Sequence, residues 1–278
     1  MLVLSWNVNC RNPGDQIARI QSENPDIVTL QEVTLRRTDA WLRHLEEIGL
    51  PHTCTSSHHG QDKKHQCVIA SRFPVAAADT AWRDCAPYPE ALGRAIISLP
   101  DNERLDLFTA HVPDGASHGW KKIDTFHVLA AQLRQAGDTA RILTGDFNEP
   151  KRFRQSGQVV PWGEEPFQQC GRSGKLRTTG IGPHRDAGPR PITEWTNGVL
   201  SVLGGPAHHG LRNAYADLHN LTPGPISLYV RGVPRCYDHI FVSRHFTVLE
   251  CGYREEWIAE RLSDHAPVIT KLSVRNTS

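Results

Sequence analysis

RILTGDFNEP, residues 141–150, runs from an apolar stretch straight into a Gly-Asp-Phe-Asn turn, leaving Asp146 and Asn148 where the strand ends. The same pattern recurs in LVLSWN (2–7), IVTLQE (27–32), LDLFTAH (105–111) and SDHAPV (263–268). Each sets polar residues beside a run of strand length: Asn7, Glu32, His111, and the pair Asp264 and His265. Asp238, in YDHIFVS, stands at the edge of another such run. In α/β sheets, ligands bind in the crevice outside strand ends. If these strands lie side by side, the polar groups converge on one rim. Glu32, Asp146, Asp238 and Asp264 would repel one another there unless a cation or protons intervened. Oxygen donors without cysteine suit a hard ion, Mg²⁺ or Mn²⁺. Taken singly, each residue has an ordinary explanation as a turn former, a cap or a structural histidine. Their combination and order carry the argument.

Outward from these segments the chain alternates strands with helices. Helical patterns cover 15–22, 39–48 and 120–135. In the second, Trp41, Leu42, Leu45 and Ile48 share a side, and Gly49 and Pro51 end it; in the third, Ile123, Phe126, Ala130 and Leu133 recur at helical steps. Further strands are expected at 66–71, 94–99, 237–243, 246–250 and 267–273. From 151 to 190 the chain is rich in Gly, Pro, Arg and Gln without a clear period, which predicts a long surface excursion. There is no internal repeat and no convincing linker, so one α/β domain over 1–278 is expected.

The bulk composition narrows the function classes. A formal net charge of +1 and a pI near 7.7 argue against a global attraction to nucleic acid or acidic membranes, so any phosphate binding must come from local clustering. No apolar stretch approaches the roughly 20 residues that span a bilayer. The N-terminal MLVLSWNVN reads as a strand and lacks the basic leader of a signal peptide. Seven scattered cysteines without a CxxC pair suit free thiols in a reducing cytoplasm.

SWNVN (5–9), QEV (31–33), IASRFPV (69–75), the His111 strand end, TGDFNEP (144–150), YDHIFVS (237–243) and SDHAPV (263–268) fall in one order from end to end of the chain. In that order the chain resembles the endonuclease/exonuclease/phosphatase superfamily of metal-dependent phosphoesterases. The resemblance implies a four-layered α/β sandwich, two packed mixed sheets flanked by helices, with the site at one end. It implies Glu32 as principal metal ligand, supported by Asn7 and Asp264. Asp146 would orient the attacking water and take its proton, Asn148 would donate to a phosphate oxygen, and His265 to the non-bridging oxygens. Asp238 would hold a catalytic histidine or help the metal. His111 stands where abasic-site endonucleases carry tyrosine, which argues against narrow abasic-site specificity. Arg94, in GRAIISL, resembles an arginine that contacts substrate phosphate in deoxyribonucleases.

Substrate class rests on weaker signals. The excursion holds eight Lys or Arg (151, 152, 154, 172, 175, 177, 185, 190) against acidic residues at 164, 165 and 186. Lys151, Arg152 and Arg154 are therefore expected in a groove for a phosphate backbone, with Trp162, Phe167 and Trp195 available to stack on bases. Lys121 and Lys122, opening a helix just after His111, suit an anion or an ordinary solvated helix face. The expectation is a monomeric nuclease acting on DNA, single-stranded or damaged, or on another nucleic acid. A phosphatase or phosphodiesterase of small molecules or lipid headgroups is the alternative, and a non-catalytic binding module ranks last.

Overall fold

In the computed structural model, residues 1–58, 60–100, 103–135, 137–164, 167–170, 176–179 and 190–275 are described, with backbone alone at 77, 167–170 and 176–179. The strands in chain order are β1 (Leu2–Asn7), β2 (Ile27–Thr34), β3 (His52–Thr55), β4 (His65–Ser71), β5 (Val75–Ala77), β6 (Leu92–Ser98), β7 (Arg104–His111), β8 (Ala140–Asp146), β9 (Arg152–Phe153), β10 (Val159–Val160), β11 (Phe167–Cys170), β12 (Leu176–Thr179), β13 (Leu211–Asn213), β14 (Leu228–Val230), β15 (Val233–Arg235), β16 (Asp238–Ser243), β17 (Phe246–Tyr253) and β18 (Val268–Val274). The helices are α1 (Gly14–Glu23), α2 (Thr38–Glu47), α3 (Gly115–His118), α4 (Lys121–Gln135), α5 (Ile192–Leu203), α6 (Pro206–His209) and α7 (Glu256–Ala259).

Two mixed six-stranded sheets face each other, ordered β17-β18-β1-β2-β4-β3 and β13-β16-β8-β7-β6-β5. Alternation along the strands explains the layering. Val3 of β1, Ile27 of β2, Leu105 and Leu107 of β7 and Ile142 of β8 point inward and pack together between the sheets. Leu4 and Trp6 point outward onto Ile20 of α1 and Trp41 and Leu45 of α2. On the far side, Phe108 and Leu143 meet Phe126 and Leu129 of α4 and Trp195 and Val199 of α5. Helix, sheet, sheet, helix is the four-layered α/β sandwich that the family resemblance implies.

Toward one end the inner face turns polar. Thr29 and Thr144 share a hydrogen bond of 2.8 Å across the sheets. One residue pair further, the Gln31 side chain donates to Ser5 Oγ at 3.2 Å and to Thr109 Oγ1 at 3.1 Å. Beyond this rung lie Asn7, His111 and Asp146. Parallel pairing sets His111 beside Asp146, and antiparallel pairing sets Asp238 beside Asp146.

Some elements differ from expectation. The excursion contains two short hairpins, β9–β10 and β11–β12, within what composition predicts as irregular chain. Helix α5 falls outside the helical patterns expected from the sequence, because Thr, Val and Gly are poor helix formers, although Trp195, Val199 and Val202 recur at helical steps. Packing on α4 stabilises it instead, and Gly198 is needed there, since a Cβ would lie 2.7 Å from Ile123 Cγ2. Among the described residues no helix is long and apolar enough to cross a membrane.

Candidate active site

The backbone aims Glu32 into the site. The β2–β4 register shifts between Leu30 and Val33, and Glu32 inside that irregularity takes a left-handed φ of 58°. Such a conformation costs a non-glycine residue roughly 1–2 kcal/mol, and bulges are a common way to re-aim a side chain. Asn7, at the end of β1, accepts the Asn9 N–H on Oδ1 at 3.0 Å, which turns its amide nitrogen toward the carboxylates. That nitrogen donates to Glu32 Oε1 at 3.1 Å and to Asp146 Oδ2 at 3.0 Å, linking the two sheets. His111 Nε2 lies 3.3 Å from the same Glu32 oxygen and 3.8 Å from Asp146 Oδ2. Burial holds the His111 imidazole below its ordinary pKa, so it stands neutral at pH 7, with Nδ1 buried and unpartnered. Burial pushes the Glu32 carboxyl up, but His111, the Asn7 hydrogen bond, His65 and His265 together hold it down at about 2.

Across the rim, His265 is clamped between carboxylates. Its Nδ1 is 2.8 Å from Asp238 Oδ2, and its Nε2 is 3.8 Å from Asp146 Oδ2. Burial opposes its charge, yet Asp238 and Asp146 raise its pKa to about 10. It is therefore an imidazolium at neutral pH, with Nδ1 donating to Asp238 and a proton on Nε2 facing Asp146. Its backbone is fixed from below: Trp6 Nε1 donates to its carbonyl at 2.8 Å, and Ser263 Oγ accepts its N–H at 3.2 Å. Asp146, 1% exposed, has its pKa raised by burial and by Asp238, against His265, His111 and the Asn148 N–H. A carboxylate so placed is suited to taking up a proton.

Asn148 follows at a left-handed φ of 50°, its N–H on Asp146 Oδ1 at 2.9 Å and its amide on the Val112 carbonyl at 3.0 Å. Its own carbonyl accepts from Lys122 Nζ at 2.6 Å. Lys122 is 1% exposed and 3.4 Å from the buried Glu149, which also accepts from the Trp195 indole at 3.2 Å. The Asp146–Asn148 turn thus rests on a buried ion pair. Reading Lys122 as outward-facing is corrected: it shares the inner stripe of α4 with Phe126 and Leu129, at helical spacing legible in the sequence.

Other expected residues fall differently. Asp264 is exposed at the rim, where Ser263 Oγ donates to it at 3.4 Å. Arg94 is corrected as a phosphate contact: it grips Asp106 through two bonds of 2.8 Å and lies 5.0 Å from the Phe108 ring centroid. Side chains alternate along β7, so Asp106 and Phe108 face away from Thr109 and His111. Trp195 is fully buried and cannot stack on a base. Arg190 is held by Asp124 and Glu194, and Arg154 pairs with Glu164. Lys151 lies over the half-buried Trp162 at 5.5 Å, and Arg152 and Lys121 are exposed. Positions 165, 172, 175, 185 and 186 and the side chains of Phe167 and Arg177 lie outside the described residues.

Sequence reasoning also missed Cys10 and His65. Cys10 Sγ is 3.5 Å from Glu32 Oε2, its thiol pushed up to about 11 by burial, Glu32 and Asp264, so a protonated thiol stands beside oxygen donors. His65, at the start of β4, brings its ring to 5.4 Å from that of His111. As possible metal ligands, Asp146, Asp238 and His265 present atoms within 4.8 Å of one another. Both nitrogens of that imidazolium face carboxylates, so this trio reads better as a proton-bearing chain. Glu32 and Asp264 offer the more open oxygen donors, while Asn7, 1% exposed and with Oδ1 taken by the Asn9 N–H, presents its amide nitrogen rather than its oxygen to the site. The raised pKa of Asp146 beside Asp238, and the unpartnered buried Asp238 Oδ1, fit a site with negative charge to spare for a cation.

A model of the Endonuclease/Exonuclease/phosphatase family matches residues 4–265. No curated protein sequence matches the chain. Solved structures with the same fold include an AP endonuclease from Archaeoglobus fulgidus, 17% identical with a TM-score of 0.66, covering 99% of this chain and 100% of that one. The 3′ phosphatase NExo from Neisseria, bound to a product DNA hairpin, is 20% identical with a TM-score of 0.65, covering 98% and 99%. An endonuclease/exonuclease/phosphatase from Beutenbergia cavernae is 15% identical with a TM-score of 0.62, covering 99% of this chain and 71% of that one.

Proposed function

Because the chain belongs to the endonuclease/exonuclease/phosphatase family, whose members are hydrolases of phosphoester bonds, we propose that it is a Mg²⁺- or Mn²⁺-dependent nuclease cleaving phosphodiester bonds in DNA. The observation that carries this reading is the Asp146–His265–Asp238 chain, set opposite Glu32, Asn7 and His111 at one end of the sandwich.

Phosphoryl transfer asks the protein for in-line positioning and for stabilisation of charge on the phosphate oxygens. Asp146, its pKa raised by burial and Asp238, orients a water and accepts its proton. His265, charged because Asp238 and Asp146 hold its proton, donates through Nε2 to a non-bridging oxygen as negative charge grows. Asn148 has a second amide hydrogen to offer beside its bond to Val112. His111 Nε2, 3.3 Å from Glu32 Oε1, and the Asn7 hydrogen bond keep that carboxylate ionised and oriented. Glu32 and Asp264 are the residues that would hold the divalent ion, with Asn7 orienting Glu32 through its amide nitrogen; the ion when bound would stabilise charge at the leaving oxygen.

DNA as substrate is favoured by two structural neighbours, one an AP endonuclease and the other bound to a DNA product. The second reading, a small phosphoester substrate, gains from the net charge of +1 and from the carboxylates that already occupy Arg154 and Arg190. A panel of single-stranded DNA, duplex DNA, RNA, bis-nitrophenyl phosphate and nitrophenyl phosphate, each with Mg²⁺ or Mn²⁺, separates them. Cleavage of the small esters without cleavage of any polynucleotide would overturn the nuclease reading.

A further inference from the structure

We propose that Lys63 and Lys121, gathered on the ring of Tyr88 beside the Glu32–His111 side of the site, form a second anion subsite that holds the phosphate adjacent to the scissile one. The inference rests on the nuclease reading and deepens it, since only a substrate with neighbouring phosphates can use both positions.

Three separate parts of the chain build the cluster. Lys63 comes from the loop before β4, Tyr88 from the turn before β6, and Lys121 from the first residue of α4. Lys63 Nζ lies 4.5 Å from the Tyr88 ring centroid and Lys121 Nζ lies 5.1 Å from it. The two ammonium groups are therefore no farther apart than the sum of those distances, which is about one Debye length at roughly 0.1 M salt. His118 adds a third nitrogen-bearing group, its ring edge-on to Tyr88 at 5.4 Å. Tyr88 itself is 6% exposed, so the platform is fixed.

Like charges drawn this close repel, and each cation–π contact returns only about 0.5–2 kcal/mol. Among the described residues neither ammonium has an ion-pairing carboxylate. Glu90, buried beneath, accepts the backbone N–H of Lys63 at 3.2 Å rather than its side chain. Burial lowers the Lys63 pKa while Glu90, Asp114, Glu32 and Asp146 raise it, so the side chain sits within the field of the catalytic carboxylates. His65 spans the gap: its ring is 5.4 Å from His111, and it lies within the field of Glu32, Lys63 and His118. Lys63 is two residues from His65, whose ring borders that of His111, so the two lysines flank the His111 side of the site, where a neighbouring linkage would lie. A phosphate between them would relieve their repulsion. A polynucleotide carries one there at every step, whereas a simple phosphomonoester does not.

The test uses trinucleotides in which the linkage beside the cleaved one is either a phosphodiester or an uncharged methylphosphonate, placed 5′ in one series and 3′ in the other. The quantity read is the ratio of kcat/KM for charged and neutral neighbours, which cancels any general loss of activity. In the unaltered protein the ratio should be about tenfold on one side. Lys63→Met and Lys121→Met should each bring it toward one, and Lys63→Arg should keep it. A ratio near one on both sides in the unaltered protein overturns the subsite, as does an undiminished ratio in both Met variants. Failure to cleave any trinucleotide, by protein that still hydrolyses bis-nitrophenyl phosphate, removes the nuclease reading first and the subsite with it.

Discussion

Replacing Asp238 by Asn should destabilise the protein in a way that fades as pH rises. Asparagine keeps the shape and an acceptor for His265 Nδ1, now 2.8 Å from Asp238 Oδ2, but removes the charge. Asp238 and Asp146 raise the His265 pKa from the ordinary 6.5 to about 10. That rise corresponds to on the order of 5 kcal/mol of tighter proton binding by the folded state. Asp146 stays in place 3.8 Å from Nε2, so the variant should forfeit the larger part, about 3 kcal/mol, in line with breaking other buried pairs. Because the folded pKa is raised, this stabilisation is complete below about pH 6.5 and is lost as pH climbs through about 10. Urea denaturation of both proteins at pH 6, 8 and 9.5, in chelator, should show a stability gap that is widest at pH 6 and narrows steadily. Acidic groups remote from Asp238 cancel in that difference, and Asp146, whose pKa Asp238 raises, does not. Imidazole NMR supplies an independent check, with the His265 ring titrating far above 6.5 in the unaltered protein and lower in the variant. A gap that stays constant from pH 6 to 9.5, or a His265 ring titrating near 6.5 in the unaltered protein, would refute the account of a charged His265 held by Asp238.

Activity should vanish in EDTA and return with Mg²⁺ or Mn²⁺, and Glu32→Gln should weaken metal affinity, read by calorimetry, without unfolding; full turnover in chelator would sink the mechanism. Asp146→Asn and His265→Ala should each lower kcat by roughly a hundredfold or more with little change in KM, because both groups act on the transition state. Near-normal turnover in either variant removes that residue from its role. Binding of a labelled single-stranded oligonucleotide should weaken with salt at a log–log slope of roughly −0.7 per neutralised phosphate. The triple replacement of Lys151, Arg152 and Arg154 by Ala should flatten that slope, and identical slopes would leave those residues as a solvated surface.

Local sequence carried the framework because its signals are local. Alternating apolar runs mark β1, β2, β7, β8 and β16, and the polar residue closing or opening each run is readable without knowing the fold. Asn7, Glu32, His111, Asp146, Asn148, Asp238 and His265 could therefore be named from the sequence, and the two sheets bring them to one rim. What the sequence alone does not determine is which partner a polar group meets. Asn7 and Asp146 are 139 positions apart, and only the sandwich brings them within 3.0 Å. Lys121 and Lys122 are neighbours of one type, yet α4 turns one to solvent and buries the other against Glu149. Arg94 reads like a phosphate ligand until β7 brings Asp106 alongside it. Cys10 and His65 carry no motif and enter the site only through the turn after β1 and the pairing of β4 with β2. Periodicity encodes where a strand ends and which way a side chain points. The charge it faces belongs to a distant segment, so the electrostatics of the site exist only in the folded chain.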